Sequence, residues 1–333
     1  MDKYLSLTRR DQRVYCEQAE AKLGLPAASL EKDFWVTWTI RELFDLSDWG
    51  KHLSFKGGTS LSKAWKLIQR FSEDIDVVID RDHLGFAKEL SVNQQIKLRL
   101  ECSRRINTQL LPALHERLTE KIPEGRTWSL TPATVEEDPG QQTLLFEYPG
   151  ALGQSVAYLR PAVKIEMGAR SDAEPSECPV IRPYLCEVFP EQLGDGGFEV
   201  RTVSALRTFW DKILILHEEG LRPAEKPRKR PMARHYYDVW ALVKAGIGNR
   251  ALSDKELFRR VVHHRRMFFR YGWLDYETMR LGSLSLIPTD EQIAGWRDDY
   301  GAMSKEMFYG EVPTLDEILS TVGAFEGLAN SAN

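Results

Sequence analysis

Asp74 and Asp76 stand one residue apart in the strand-like run Asp74-Ile75-Asp76-Val77-Val78-Ile79. Successive strand residues point to opposite faces, so the two carboxylates share a face about 6.5–7 Å apart. Like charges that close, beside Val77, Val78 and Ile79, oppose folding unless a cation sits between them. Magnesium or manganese carried by a nucleoside triphosphate is such a cation. Upstream, Leu53 and Phe55 belong to a short buried strand that delivers the chain to Gly57-Gly58. Two glycines let a ligand approach the main chain closely. Thr59 or Ser60 then caps a helix running to about Arg70, with Leu61, Ala64, Trp65 and Ile68 on its inner face. The free N–H groups and the dipole of a helix N-terminus suit an anion. Strand, glycine turn, helix and carboxylate strand, in that order, predict a metal-dependent enzyme of phosphoryl-group chemistry.

A third acid follows in Ala162-Val163-Lys164-Ile165-Glu166-Met167. The alternation places Lys164 and Glu166 on one strand face. A two-metal site needs another carboxylate for the ion that activates the attacking hydroxyl, and Glu166 is the candidate. Two readings stay open beside it: Lys164 as the phosphate contact, and an edge strand whose charged face is merely solvated. Between Val203 and Glu219, Leu206, Phe209, Trp210, Ile213 and Leu216 form a helical apolar stripe with Lys212 beside it. The plain alternative for Lys212 is a surface lysine paired with Asp211 or Glu218. Asp238 lies in Arg234-His235-Tyr236-Tyr237-Asp238-Val239-Trp240, where its plain reading is a helix cap or surface charge.

The run KGGTSLSKAW…RFSEDIDVVI resembles the AbiEii/AbiGii (MenT-like) nucleotidyltransferase toxins, members of the polymerase-β-like nucleotidyltransferase superfamily. LEKDFWVTWTIRELF (30–44) looks like the leader helix of that family. VKIEMGARSD (163–172), the helix containing Asp211-Lys212-Ile213, and RHYYDVWAL (234–242) look like its later motifs. The resemblance spans about residues 8 to 300. It implies an α/β (α+β) fold: a polymerase-β-like core on a small mixed sheet, with a helical C-terminal lobe completing the active site. It also implies Mg2+- (or Mn2+-) dependent transfer of a nucleoside monophosphate from an NTP to RNA, the tRNA 3′ end first among acceptors. The cellular role implied is a toxin that halts translation, in an abortive-infection, phage-defence system with an antitoxin encoded nearby.

By the same resemblance Lys212 contacts the triphosphate and Asp238 belongs to the active site. His235 departs from the family's usual Asp at that place. Glu31-Lys32-Asp33 is shared with the family but shows no chemical role by itself. The candidate catalytic set is thus Asp74, Asp76, Glu166, Lys212 and Asp238, with Asp74, Asp76 and Glu166 as metal ligands. The candidate nucleotide-binding set is Lys56, Gly57, Gly58, Thr59, Ser60, Lys63, Lys164 and Lys212.

The elements that must position these groups are read from periodicity. Helices are expected over 8–23 and 29–46, separated by Gly24-Leu25-Pro26, and over 83–118, with strands over 127–135 and 141–148. Residues 1–200 are expected to form the core, 201–325 the helical lobe, and 326–333 a disordered tail. The chain has 333 residues, 42% hydrophobic and 28% charged, ample for a large core. Its start is polar and no apolar run is long enough to span a bilayer, so a cytoplasmic protein is expected. Cys16, Cys102, Cys178 and Cys186 are scattered, as buried thiols of a reducing compartment would be. A net charge of −4 argues against a generic nucleic-acid coat. Local patches remain: Arg222–Arg234, with Lys226, Arg228, Lys229 and Arg230, and Arg259–Arg270, where basic residues interleave with Phe268 and Phe269.

Three rivals share parts of this pattern. A small-molecule nucleotidyltransferase uses the same core. A metal-dependent nuclease clusters carboxylates with a lysine, but in the order acid-x-lysine rather than Lys164-x-Glu166, and does not need the glycine turn. A catalytically silent nucleotide-binding partner is the third.

Overall fold

The structure is a computed structural model that describes every residue except 73, 88, 153–160, 229–230, 305–306, 309–311 and 333. Lys229 and Arg230 of the first basic segment therefore lie outside the described residues. The chain divides into two compact units, Met1–Ala64 with Glu73–Thr202, and Trp65–Ser72 with Val203–Asn333. Trp65–Ser72 joins the second unit through specific bonds. The Trp65 indole N–H donates to the Val203 carbonyl at 3.2 Å, and the Gln69 backbone N–H donates to the Tyr237 hydroxyl at 3.1 Å.

The first unit is α/β. Its strands are β1 (Leu53–Lys56), β2 (Ile75–Ile79), β3 (Ser129–Pro132), β4 (Thr143–Glu147), β5 (Ala162–Gly168), β6 (Ser176–Glu177), β7 (Val180–Ile181), β8 (Phe198–Glu199) and β9 (Thr202–Val203). Seven form one mixed sheet in the order β3-β4-β5-β2-β1-β9-β6, while β7 pairs with β8. β2 runs parallel to β5 and antiparallel to β1. The registers put Leu53, Phe55, Ile75, Val77, Leu144, Phe146, Val163 and Ile165 on one face, all buried.

The helix Ala27–Phe44 covers that face. Trp35 and Trp38 meet Phe146 at ring separations of 6.0 and 6.1 Å, and Trp35 stacks on Tyr148 at 5.4 Å. Removing a wholly buried side chain such as Phe146 from water contributes about 1.5–3 kcal/mol, which is why the aromatic load of this helix is core. A helix Arg9–Leu23 precedes it, capped by Thr8 and closed by Gly24 in the left-handed region. The predicted helix over 83–118 is two helices, Val92–Arg105 and Leu111–Lys121, joined by a π-helical turn at Ile106–Leu110. Pro112 opens the second helix rather than ending the first, because a first turn needs no N–H from it.

The second unit is helical: Ala205–Gly220, Arg234–Lys244, Ile247–Ser253, Lys255–Phe268, Asp290–Ser304 and Leu315–Ser331. Trp210 packs on Phe258 at 4.6 Å, and Phe209 on Phe325 at 5.0 Å. The expected disordered tail is corrected here, since residues 326–331 complete the last helix. Thr314 and Glu317 form its capping box, and Val322, Phe325 and Ala329 bury a helical stripe. Asn330 holds Leu284 through two backbone bonds of 2.8 and 2.9 Å. No helix among the described residues is long and apolar enough to cross a membrane.

Candidate active site

The face of the first unit's sheet opposite the core carries the charges. Asp76 on β2 stands opposite Lys56 of β1 on one side and Glu166 of β5 on the other. Lys164 is two residues before Glu166, so strand alternation brings it to the same face, and Asp74, just before β2 begins, is near enough to act on the Lys164 ammonium. β5 alternates as its sequence predicts, with Val163, Ile165 and Met167 buried and Lys164 and Glu166 about 40% exposed. Glu166 is ion-paired with Lys164. Burial pulls the Lys164 ammonium down, but Glu166 first and then Asp74 and Asp76 outweigh it, so its pKa lies above the ordinary lysine value. The lysine serves as the local counter-charge of an acid-rich face.

The glycine turn is fitted to this face. Gly57 has φ +82°, and a Cβ there would lie 2.0 Å from a carboxylate oxygen of Asp76. Only glycine allows both the backbone angle and that approach. The helix after the turn starts earlier and ends sooner than expected, at Gly57–Lys63 with Lys56 as its cap residue. Thr59 and Ser60 therefore lie inside it and do not cap it. The Thr59 hydroxyl donates to the Asp74 carbonyl at 2.6 Å and that of Ser60 to the Gly57 carbonyl at 2.9 Å. Thr59 thus ties the turn to the segment bearing the aspartates. No side chain caps the helix, so the first-turn N–H groups have no intrahelical acceptor.

Lys63, a candidate phosphate ligand, is held as an anchor within the first unit. It is buried, 2.7 Å from Asp33, with its ammonium 3.8 Å over the Tyr184 ring. Asp33 also accepts from the Tyr184 backbone N–H at 2.8 Å. The shared Glu31-Lys32-Asp33 run thereby gains a structural role: Asp33 fixes the helix of the glycine turn, and Glu31 accepts from the backbone N–H groups of Ala151 and Leu152. Further residues that the sequence did not single out brace the strand ends. Arg201 spans Asp80 and Glu174, each at 2.9 Å, and Arg81 donates to the carbonyls of Ala169 and Arg170 at 2.8 Å. Lys56 donates to the Ser171 hydroxyl at 2.9 Å.

In the second unit Asp238 is fully buried and clasped by two cations. Arg70 donates to both its oxygens, at 2.7 and 2.8 Å, and Lys212 lies at 2.7 Å. Burial alone would raise the Asp238 pKa, but Arg70 and then Lys212 hold it far below the usual carboxylate range. Lys212 is lowered by burial, with Arg70 and Arg234 adding to the effect against Asp238. Lys212 is thus neither at the surface nor paired with Asp211, which lies 3.6 Å from Arg207. Nor does Asp238 cap a helix. Arg70, expected only as a helix end, is the partner that sequence reasoning missed; its place within RFSED gave no hint of a contact 168 residues away. His235 is buried and held neutral, lowered by burial and then by Lys212 and Arg234. An imidazole at this place adds no charge where the usual carboxylate would.

The donor chemistry of the first unit fits Mg2+ or Mn2+. Asp74, Asp76 and Glu166 offer hard carboxylate oxygens, and the cradle at Gly57 keeps the main chain close against Asp76. Among the described residues no three acid, imidazole or thiol groups are gathered tightly enough to hold an ion, and Glu166 is paired with Lys164. Cys178 is exposed and the other cysteines are buried thiols, so none competes as a ligand of this face.

Comparison with known proteins places the chain. A structure of JHP933 from Helicobacter pylori is similar at 16% identity, covering 89% of this chain and 90% of that one, with a TM-score of 0.40. The nucleotidyltransferase toxin MenT4 from Mycobacterium tuberculosis is similar at 16% identity, covering 98% and 94%, with a TM-score of 0.45. No curated protein matches. Residues 39–321 match the family described as nucleotidyl transferase AbiEii toxin, type IV TA system. With the match extending over most of its length, the chain belongs to the AbiEii nucleotidyltransferase toxins of type IV toxin–antitoxin systems.

Proposed function

We propose that this nucleotidyltransferase moves a nucleoside monophosphate from an NTP to a hydroxyl of RNA, with the tRNA 3′ end as the acceptor to test first. The acceptor oxygen bonds to the α-phosphorus, the bond to pyrophosphate breaks, and the hydroxyl proton is lost to a carboxylate or to water. The observation that carries this reading is the registered row Lys56–Asp76–Glu166 with Gly57 closed against Asp76. Asp74 and Asp76 hold the divalent cation, and Glu166 joins them when it parts from Lys164. Mg2+ or Mn2+, when bound, neutralises phosphate charge and acidifies the acceptor hydroxyl. The N–H groups of Gly57, Gly58, Thr59 and Ser60 and the ammonium groups of Lys56 and Lys164 meet phosphate oxygens. Asp238 orients Lys212. Most of the rate then comes from positioning and charge neutralisation. Adding a nucleotide to tRNA stops translation until a cognate antitoxin, encoded nearby, relieves it, as in abortive infection by phage.

The test is incubation of the protein with Mg2+, total RNA and each α-labelled NTP in turn, beside Asp74→Ala. Label in a tRNA-sized band with the wild type alone is the expected result and names the nucleotide. Shortened RNA would assign the acids to a nuclease. Intact, unlabelled RNA with NTP still bound would point to a small-molecule acceptor or a silent binding partner.

A further inference from the structure

The helix Lys255–Phe268 divides its residues cleanly. Leu257, Phe258, Val261, Val262, His264, Arg265 and Phe268 are buried, so the aromatics and branched residues interleaved with its basic residues are core. Arg265 is likewise inward, bound to Glu218 through both carboxylate oxygens. Arg259, Arg260, His263 and Arg270 are exposed, and their spacing sets them along one side of the helix and its exit. Glu256 opens that side, and Glu277 pairs with Arg266 at 3.1 Å.

The stripe ends on aromatic rings. Tyr271 and Trp273 are stacked with centroids 5.1 Å apart and planes 21° from parallel. Tyr271 is 37% exposed. The Arg222 guanidinium lies 5.1 Å from the Trp273 centroid, locked there by a bidentate pair with Glu219 at 2.8 and 2.6 Å. An exposed tyrosine stacked on a half-buried tryptophan at the end of a basic stripe has the features that hold unpaired nucleotides: cations along the backbone and a flat apolar face for a base.

We propose that this side of the second unit binds a single-stranded stretch of RNA, with Arg259, Arg260 and Arg270 on phosphates and a base stacked on Tyr271. This rests on the reading of RNA as acceptor, and it adds a place on the chain and a preference for unpaired nucleotides. The test is fluorescence anisotropy of the full chain with an unstructured 12-nucleotide RNA and with an RNA duplex, without NTP or metal. Tyr271→Ala is expected to weaken single-strand binding about tenfold while leaving duplex binding unchanged, and Tyr271→Phe to restore it. Replacing Arg259, Arg260 and Arg270 together by Gln should reduce the slope of log affinity against log salt by about 2. Unchanged single-strand binding by Tyr271→Ala, or equal losses on both RNAs, overturns the proposal. A wild type that binds no single-stranded RNA also overturns it and assigns the surface to a protein partner. Because nucleotide is absent, a transfer-inactive protein can still pass, and failure here leaves transfer to another acceptor standing.

Discussion

Asp76 sits half-exposed on an open sheet face with Asp74 and Glu166, whereas Asp238 is wholly buried and bound by Arg70 and Lys212. The first setting has more acid than base, with Lys164 paired to Glu166 and Lys56 opposite Asp76 in register. The second has more base than acid, since Arg234 adds to the field around Lys212. In the first unit three acids share a face with Lys56 and Lys164, whereas in the second a single acid is bound by two cations. A carboxylate that folding leaves under-compensated is available to a metal ion. One that is over-compensated holds its neighbours in place and leaves a positive field suited to phosphate.

Asparagine at each position should separate the two. The largest effect expected is on catalysis: Asp76→Asn lowers transfer by about a thousandfold or more, the loss of several kcal/mol of charge stabilisation. This is read as labelled NMP incorporation at saturating NTP, and near-normal incorporation would remove Asp76 from the metal site. Next is stability. Asp238→Asn leaves two buried cations without their carboxylate and should cost about 3–5 kcal/mol in urea unfolding. Asp76→Asn should be neutral or slightly stabilising there, because it relieves repulsion. Equal losses in the two variants would erase the contrast.

Acid should weaken the second unit further. His217 accepts from the Ser285 N–H through Nδ1, and its Nε2 lies 3.0 Å from the Thr278 hydroxyl, an arrangement that suits the neutral ring. Burial lowers its pKa to about 4. A histidine depressed on folding binds fewer protons in the native state, so its contribution is present above the unfolded pKa near 6.5 and is lost as pH falls towards 4. The loss expected between pH 7 and pH 4 is about 3 kcal/mol, checked by urea midpoints across that range and by a flatter profile in His217→Gln. The smallest effect belongs to Lys164→Gln. Its pair with Glu166 is about 40% exposed on each side, so stability should change by less than about 1 kcal/mol. Transfer should nevertheless need less Mg2+, since Glu166 is released; an unchanged Mg2+ requirement would detach Lys164 from the metal face.

What the sequence disclosed follows from the range of the forces involved. Strand alternation is local, so Lys164 and Glu166 were legible as one face, and so was the aromatic core of Ala27–Phe44. The glycine turn was legible as a close-approach site, but for a ligand; the approach of Gly57 to Asp76 comes from the pairing of β1 with β2. The partnership of Asp238 with Arg70 was not legible, because it joins residues far apart in the chain and either could pass for a surface charge. The pair of Lys63 with Asp33 was hidden for the same reason: next to a glycine turn a lysine reads as a phosphate ligand, and only the fold brings Asp33 to it. The last helix was missed because Glu326-Gly327-Leu328-Ala329-Asn330 is small and polar in composition, although Val322, Phe325 and Ala329 keep the helical period.

The most direct measurement is calorimetric titration of Mg2+–NTP into the wild type, Asp76→Asn and Tyr271→Ala. Binding to the wild type, weakened at least about tenfold in Asp76→Asn and unchanged in Tyr271→Ala, is the result expected of a metal-dependent nucleotide site on the acid face. Equal affinity in all three proteins would contradict it and place the nucleotide elsewhere.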